Sequence, residues 1–166
     1  IIFISVASIC LSAQANVRIA LLESYTKNGK LVQYEVGGRF YHSAIWVDGG
    51  WLQSYPPEGV SVISWQQLQE KGKVAVILDL PKMRSITLDD YKKYLGKKFD
   101  FYYQWNDDLI YCSELIAKIL NIQTVPMKLN HQVWPKTYWV LDGQPGVSPD
   151  ELYRWGVANG ALVREL

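Results

Sequence analysis

Histidine and cysteine are scarce in this chain: its 166 residues hold two of each, His42 and His131, Cys10 and Cys112. Well-separated histidines and single cysteines fit no zinc-ligand spacing, so no metal is expected. An excess of either charge is missing too. Seventeen basic residues against sixteen acidic ones leave a formal +1, which excludes electrostatic capture of nucleic acid as the chain's business. There is no phosphate-cradling loop, because Gly37-Gly38 and Gly49-Gly50 sit in turn contexts, and no cofactor is expected. Repeats, low-complexity tracts and linkers are absent as well. What remains is a chain long enough to close one core and rich in Trp and Tyr, the residues of half-buried strands and ring-lined grooves.

The opening "IIFISVASICLSAQA" (residues 1–15) carries no charge and ends in Ala13-x-Ala15. It reads as the apolar region and cleavage site of a secretory signal peptide and is too short to span a bilayer. A buried N-terminal strand is the alternative, since "IIFISV" is β-branched. Bulky Ile9 speaks against a lipid-anchored Cys10. Removal of the leader gives a single domain over residues 16–166 in the periplasm or secreted from a bacterial cell, with peripheral contact to the cell envelope possible. Cys112 is then the only thiol, either a buried filler or a reactive group.

Alternation and turn residues predict strands over 17–25 and 30–38 around the Asn-Gly turn of "TKNGK". A second hairpin is expected from strands 40–47 and 51–55 about Asp48–Gly50, ended by Pro56-Pro57. Ser64 caps a short helix in 64–73 that stops at Gly72. "VAVILDLP" (74–81) reads as a central strand. "SITLDDYKKYLGKKF" (85–99) has a Thr87 cap, acids at its start and lysines at its end, which predicts a helix. Residues 100–108 are irregular and aromatic. An amphipathic helix follows from Cys112, and a last short one is capped by Ser148 with Pro149 in its first turn. The fold class is α+β.

Cys112 begins its helix, where unpaired backbone N–H groups and the dipole favour thiolate and are placed to hold an oxyanion. A thiol nucleophile needs an imidazole. His42 lies in a rigid strand, with Tyr41 and Ser43 alternating to the opposite face; His131 lies in a loop-like stretch. Gln53, across the hairpin, is the best-placed residue to orient the His42 ring, with Glu35 and Glu114 as competitors. Glu114 reads as structural, because two residues along a helix turn it away from Cys112.

"YLGKKFDFYYQWNDDLIYCSELIAKIL" resembles the cysteine motif of the YiiX/YebB-like enzymes, circularly permuted NlpC-type papain-fold cysteine hydrolases. "YHSAIWVDGGWLQSYPPEGV" resembles their histidine strand and following hairpin, and "GVSPDELYRW" their C-terminal Ser-Pro segment. The likeness covers roughly residues 38 to 155. It implies a permuted papain-like fold, an antiparallel sheet packed against a nucleophile-bearing helix, and a hydrolase working through a thioester. Cys112 matches the nucleophile and His42 the base, in the His-before-Cys order of a permuted chain. Gln53 stands where the family often has Glu, and Phe99 where it often has Tyr; Asp100 matches a family Asp and is expected to be structural. The chain lacks the Gly-Asp opening that many relatives carry before the histidine strand. Tyr41 is expected as a second oxyanion donor and Ser113 as support. Trp46, Tyr55, Tyr102, Tyr103 and Trp105 are expected to line a groove for a peptide, amide or acyl-lipid substrate, part of them serving instead as sheet core. Two alternatives stay open: a catalytically weak module that binds cell-wall peptide or lipid, and a lipid acyltransferase.

Overall fold

The computed structural model describes residues 17–166, so the leader expected in residues 1–15, with Cys10, lies outside the described residues. A six-stranded antiparallel sheet organises the rest, in the order β4-β3-β2-β1-β5-β8. Strand β1 (Val17–Glu23) is apolar enough to be buried on both faces, and it occupies the middle. On one side it pairs with β2 (His42–Val47), which turns at Asp48-Gly49 into β3 (Gly50–Tyr55) and then β4 (Gly59–Ile63). Gly49 takes a φ of +93°, the left-handed conformation such a tight turn requires. On its other side β1 pairs with β5 (Lys73–Leu80), followed by the exposed edge strand β8 (Leu162–Glu165).

Helices cover both faces. Helix α1 (Trp65–Lys71) begins with a reciprocal Ser64–Gln67 capping box and packs Leu68 against Ala20, Leu22, Ala44 and Ile77. The larger core lies on the opposite face. There α3 (Cys112–Leu120) and α4 (Pro149–Ala158) bury Leu115, Ile116 and Leu152 against Ile19, Ile45, Leu52 and Leu78. Ser148 caps α4 through the Glu151 N–H, and Pro149 opens it, as the sequence suggested. A short ribbon, β6 (Val125–Pro126) with β7 (Pro145–Gly146), and a 3-10 turn over Lys136–Leu141 complete the C-terminal third.

Three local expectations are corrected. The predicted strand 30–38 is a loop: the turn closes, with the Thr26 N–H donating to the Lys30 carbonyl. Both edges of β1 are already taken by β2 and β5, however, so only single bridges remain, at Tyr25–Leu31 and Glu35–Leu129. Strand β2 starts at His42 rather than at residue 40. The N–H groups of Arg39 and Phe40 go to the Asp150 carboxylate and not to a ladder. The predicted helix 85–99 shrinks to one turn, α2 (Leu88–Tyr91), capped at Thr87 by Asp90. Tyr91 at its end and Tyr94 beyond it turn into the core, and the chain bonds to the β4 edge through Gly96 N–H to Val60 carbonyl and Val60 N–H to Lys97 carbonyl. Tertiary packing outweighs helix propensity here. Strands β4 and β8 carried too little alternation to be expected.

Gly59 is what allows that edge to close. It has φ +72°, and a Cβ there would run into the Lys97 backbone carbonyl. Gly59→Ala should destabilise the protein by about 3 kcal/mol, from left-handed backbone and overpacking together. Thermal unfolding would show this as a midpoint roughly 10 °C lower; an unchanged midpoint would mean that the 94–99 segment yields freely.

Candidate active site

The β2–β3 hairpin brings two distant polar residues into one bond. Its register sets Ile45 opposite Leu52 and Trp46 opposite Trp51, so Gln53 falls opposite Ala44 and is the diagonal neighbour of His42 on the same face. There His42 Nε2 lies 2.7 Å from Gln53 Oε1, with both side chains buried. A carbonyl oxygen accepts, so Nε2 carries the proton and Nδ1 is left with its lone pair, the state a base requires. The Tyr55 ring meets the imidazole edge-on at 5.0 Å, and Lys71 Nζ sits 4.7 Å from the Tyr55 ring centre. Burial pulls the His42 pKa down to about 4; the Gln53 bond opposes this and Lys71 adds to it. The imidazole is therefore neutral at neutral pH.

Cys112 is the first residue of α3, after the cap residue Tyr111. Nothing precedes it in the helix to accept its N–H, so that donor is free for a ligand. The lead-in is bolted from several sides. Ser54 Oγ donates to the Ile110 carbonyl at 2.5 Å, and Ser113 Oγ to the Val147 carbonyl at 2.6 Å. The Val147 N–H in turn donates to the Tyr111 hydroxyl. Glu114 is buried and accepts from the N–H groups of Tyr111 and Asn106 while pairing with Lys118 at 3.0 Å, which is a structural role. Asp100 likewise folds its loop, accepting from the N–H groups of Tyr102 and Gln104.

The thiol itself departs from expectation. Burial pushes the Cys112 pKa up, and the nearby hydroxyl and N–H groups of Ser43 and Ser113 only partly offset it. The helix start was expected to favour thiolate; here desolvation outweighs it. At rest the pair is a neutral thiol and a neutral imidazole, so proton transfer has to accompany attack.

Cys112 and His42 both line one cavity of about 260 Å³. Of the expected groove residues, Tyr55 and Tyr103 line it. Trp46 does not: it pairs with Trp51 on the α1 face of the sheet and is partly exposed. Tyr102 is 68% exposed at a loop tip, and Trp105 covers Lys118 at the other end of α3. Tyr41 lines the cavity, but its hydroxyl is engaged by the Lys71 carbonyl and is not free as an oxyanion donor. Glu35 is bound to Ser148 and Arg154 and does not hold the imidazole. His131 stacks on exposed Trp139 at 4.4 Å beside Asp142 and is not among the cavity's lining residues.

Much of the wall was missed by sequence reasoning: Tyr34, Phe40, Phe99, Met127, Leu129 and Trp134. Trp134 fastens the loop before β2, donating through Nε1 to the Tyr34 carbonyl at 2.8 Å, and meets Tyr103 edge-on at 5.2 Å. The Pro- and Trp-rich composition after residue 122 was the available signal, because rings crowded into a segment with no periodicity have to pack against something else. Among the described residues no group of three or more His, Cys, Asp and Glu is gathered closely enough to hold a metal ion.

The profile of one protein family, described as permuted papain-like amidase enzymes of the YaeF/YiiX, C92 family, matches residues 24–157. No curated protein matches the chain. Among solved structures, that of the metalloprotein yiiX from Escherichia coli O157:H7 is similar with a TM-score of 0.58 and 17% identity, over 92% of this chain and 96% of that one. At that identity the likeness concerns the fold alone.

Proposed function

Because the chain belongs to the permuted papain-like amidases, a cysteine hydrolase family with this α+β fold, we propose that it cleaves an amide whose acyl side is apolar, with Cys112 as nucleophile, His42 as base and Gln53 as the group that orients the ring. The observation that carries this reading is the single cavity holding Cys112 and a His42 whose Nε2 is bound by Gln53, under walls made mostly of aromatic and aliphatic side chains. A cavity of that lining favours an acyl chain over a charged peptide.

In the first step Nδ1 of His42 takes the thiol proton as Sγ bonds to the carbonyl carbon. The Cys112 N–H receives the developing oxyanion. Collapse breaks the C–N bond, and the imidazolium returns its proton to the departing amine. Water, deprotonated by the same nitrogen, then releases the acid and the free thiol. Ser113 supports the helix start through the Val147 carbonyl and transfers no proton in the reaction. Gln53 orients the ring but brings no charge to steady an imidazolium, so turnover slower than with a carboxylate in that place is expected. The apolar leader-like start supports placing the activity in the periplasm or outside the cell.

The test is incubation with long- and short-chain N-acyl amides and with peptidoglycan fragments, products read by mass spectrometry. Release of fatty acid, faster for the longer chain, is expected. Cleavage of cell-wall peptide alone would overturn the apolar-acyl reading, and absence of any product would favour a binding module. Added alcohol that captures the acyl group would instead identify an acyltransferase.

A further inference from the structure

Ser43 carries an observation the proposed reaction leaves unexplained. Its side chain is fully buried, and its hydroxyl is one of four buried polar side-chain atoms without a hydrogen-bond partner among the described residues. Native proteins rarely leave such a group unsatisfied, since an unpaired buried hydroxyl costs on the order of 1–3 kcal/mol.

The strand shows what it faces. Ile45 and Val47 lie in the core under α3, and β2 alternates, so Ser43 shares their face while His42 shares that of Ala44. Continuing the Ile45–Leu52 register sets Ser43 opposite Ser54, and Ser54 is bonded to the carbonyl of Ile110, two residues before the nucleophile. The Cys112 sulfur is near enough for the Ser43 hydroxyl and backbone N–H to favour its thiolate, although no hydrogen bond joins the two side chains while the thiol is neutral. A neutral thiol is a weak acceptor and leaves the hydroxyl idle; a thiolate is a strong one.

We propose that Ser43 is a catalytic residue whose hydroxyl donates to the Cys112 sulfur when that sulfur carries negative charge, holding the nucleophile in its reactive form. The assignment rests on Cys112 being the nucleophile. It places a neutral donor on the sulfur side of a site whose imidazole is oriented by a neutral amide, so both polar supports work without a formal charge. Ser43 loses its proton to nothing; it only turns its O–H toward Sγ as the thiol proton leaves for His42. No other titratable group around the sulfur brings a charge to it. The hydroxyls of Tyr41, Tyr103 and Tyr111 are all pushed up by burial and stay protonated, and Lys71 acts on His42. Asp150, which also lines the cavity, is occupied by the N–H groups of Arg39 and Phe40.

Ser43→Ala isolates the hydroxyl, because the backbone N–H stays. The rate of Cys112 alkylation by iodoacetamide, followed against pH in the whole protein, should give a thiol pKa about one unit higher than in wild type. At a fixed pH below that pKa, alkylation should be roughly tenfold slower. Thermal stability should hold or rise, because the substitution removes an unsatisfied group. That combination separates the proposal from a packing role, for which stability would fall and the titration would not move. An unchanged thiol pKa in Ser43→Ala overturns the proposal. Failure of the nucleophile reading would show separately, as turnover retained in Cys112→Ala.

Discussion

Cys112→Ala is expected to lose turnover by at least about a thousandfold while keeping its fold. The reaction proposed above passes through a bond to Sγ, and no other thiol exists among the described residues, so there is no substitute nucleophile on the same path. The helix start would persist. Ser54, Ser113, Glu114 and Tyr111 hold it through bonds that do not involve the sulfur. The penalty to stability is confined to a small void next to Ser43, on the order of 1 kcal/mol. The residual rate reports what the cavity and the backbone donor achieve alone. Hydrolysis assays beside thermal melts check both halves, and a variant that turns over normally would remove Cys112 from the mechanism.

His42→Ala is expected to lower kcat/KM by roughly a hundredfold to ten-thousandfold, the span of general base catalysis. It also leaves the buried Gln53 carbonyl without its donor, so a stability loss of about 1–3 kcal/mol should accompany it. The pH profile of the wild-type enzyme discriminates more sharply. The base has to be neutral to accept the thiol proton, and burial holds the His42 pKa at about 4. The acid limb of kcat/KM should therefore lie well below the ordinary histidine range. At pH 5.5 the enzyme should keep nearly all its activity, where an imidazole of ordinary pKa 6.5 would be only about a tenth neutral. A limb centred near 6.5 would mean either that His42 is solvated in the working enzyme or that another group is the base.

The absence of a resting ion pair follows from burial on both sides. A thiolate–imidazolium pair would require two charges in a pocket walled largely by rings, with Gln53 rather than a carboxylate bonded to the imidazole. Gln53 sits where it was anticipated in the hairpin, but its neutrality and the depth of the site act in the same direction. The chemistry is left to concerted proton transfer, with donors that have no formal charge.

Legibility from sequence varied with the range of the interaction responsible. Helix α3 was visible because its apolar residues recur at helical spacing, and the β2–β3 hairpin because Asp48-Gly49-Gly50 interrupts two alternating runs. Bringing His42 and Gln53 together needed only the hairpin register and the strand parity that makes them diagonal neighbours on one face. The loop at 30–38 was misread because a β-capable segment becomes a strand only where an edge is open, and β1 offers none. The helix at 85–99 failed similarly: its caps and charges are genuine, yet Tyr91 and Tyr94 are drawn into the core and the chain ties to β4. Trp46 looked like a groove residue on ring content alone, whereas strand parity puts it on the α1 face with Trp51.

By itself, then, the amino-acid order determined the family, the strand–hairpin and helix that carry the reactive side chains, and which imidazole stands by a neighbouring glutamine, because periodicity, turn chemistry and cap residues act within a few positions along the chain. Tertiary structure alone decided the protonation of thiol and imidazole, the engagement of the Tyr41 hydroxyl, the cavity wall built from Tyr34, Met127 and Trp134, and the burial of an unpartnered Ser43 hydroxyl. Those depend on desolvation and on segments a hundred residues apart meeting at one place, and neither is written in any local stretch of the chain.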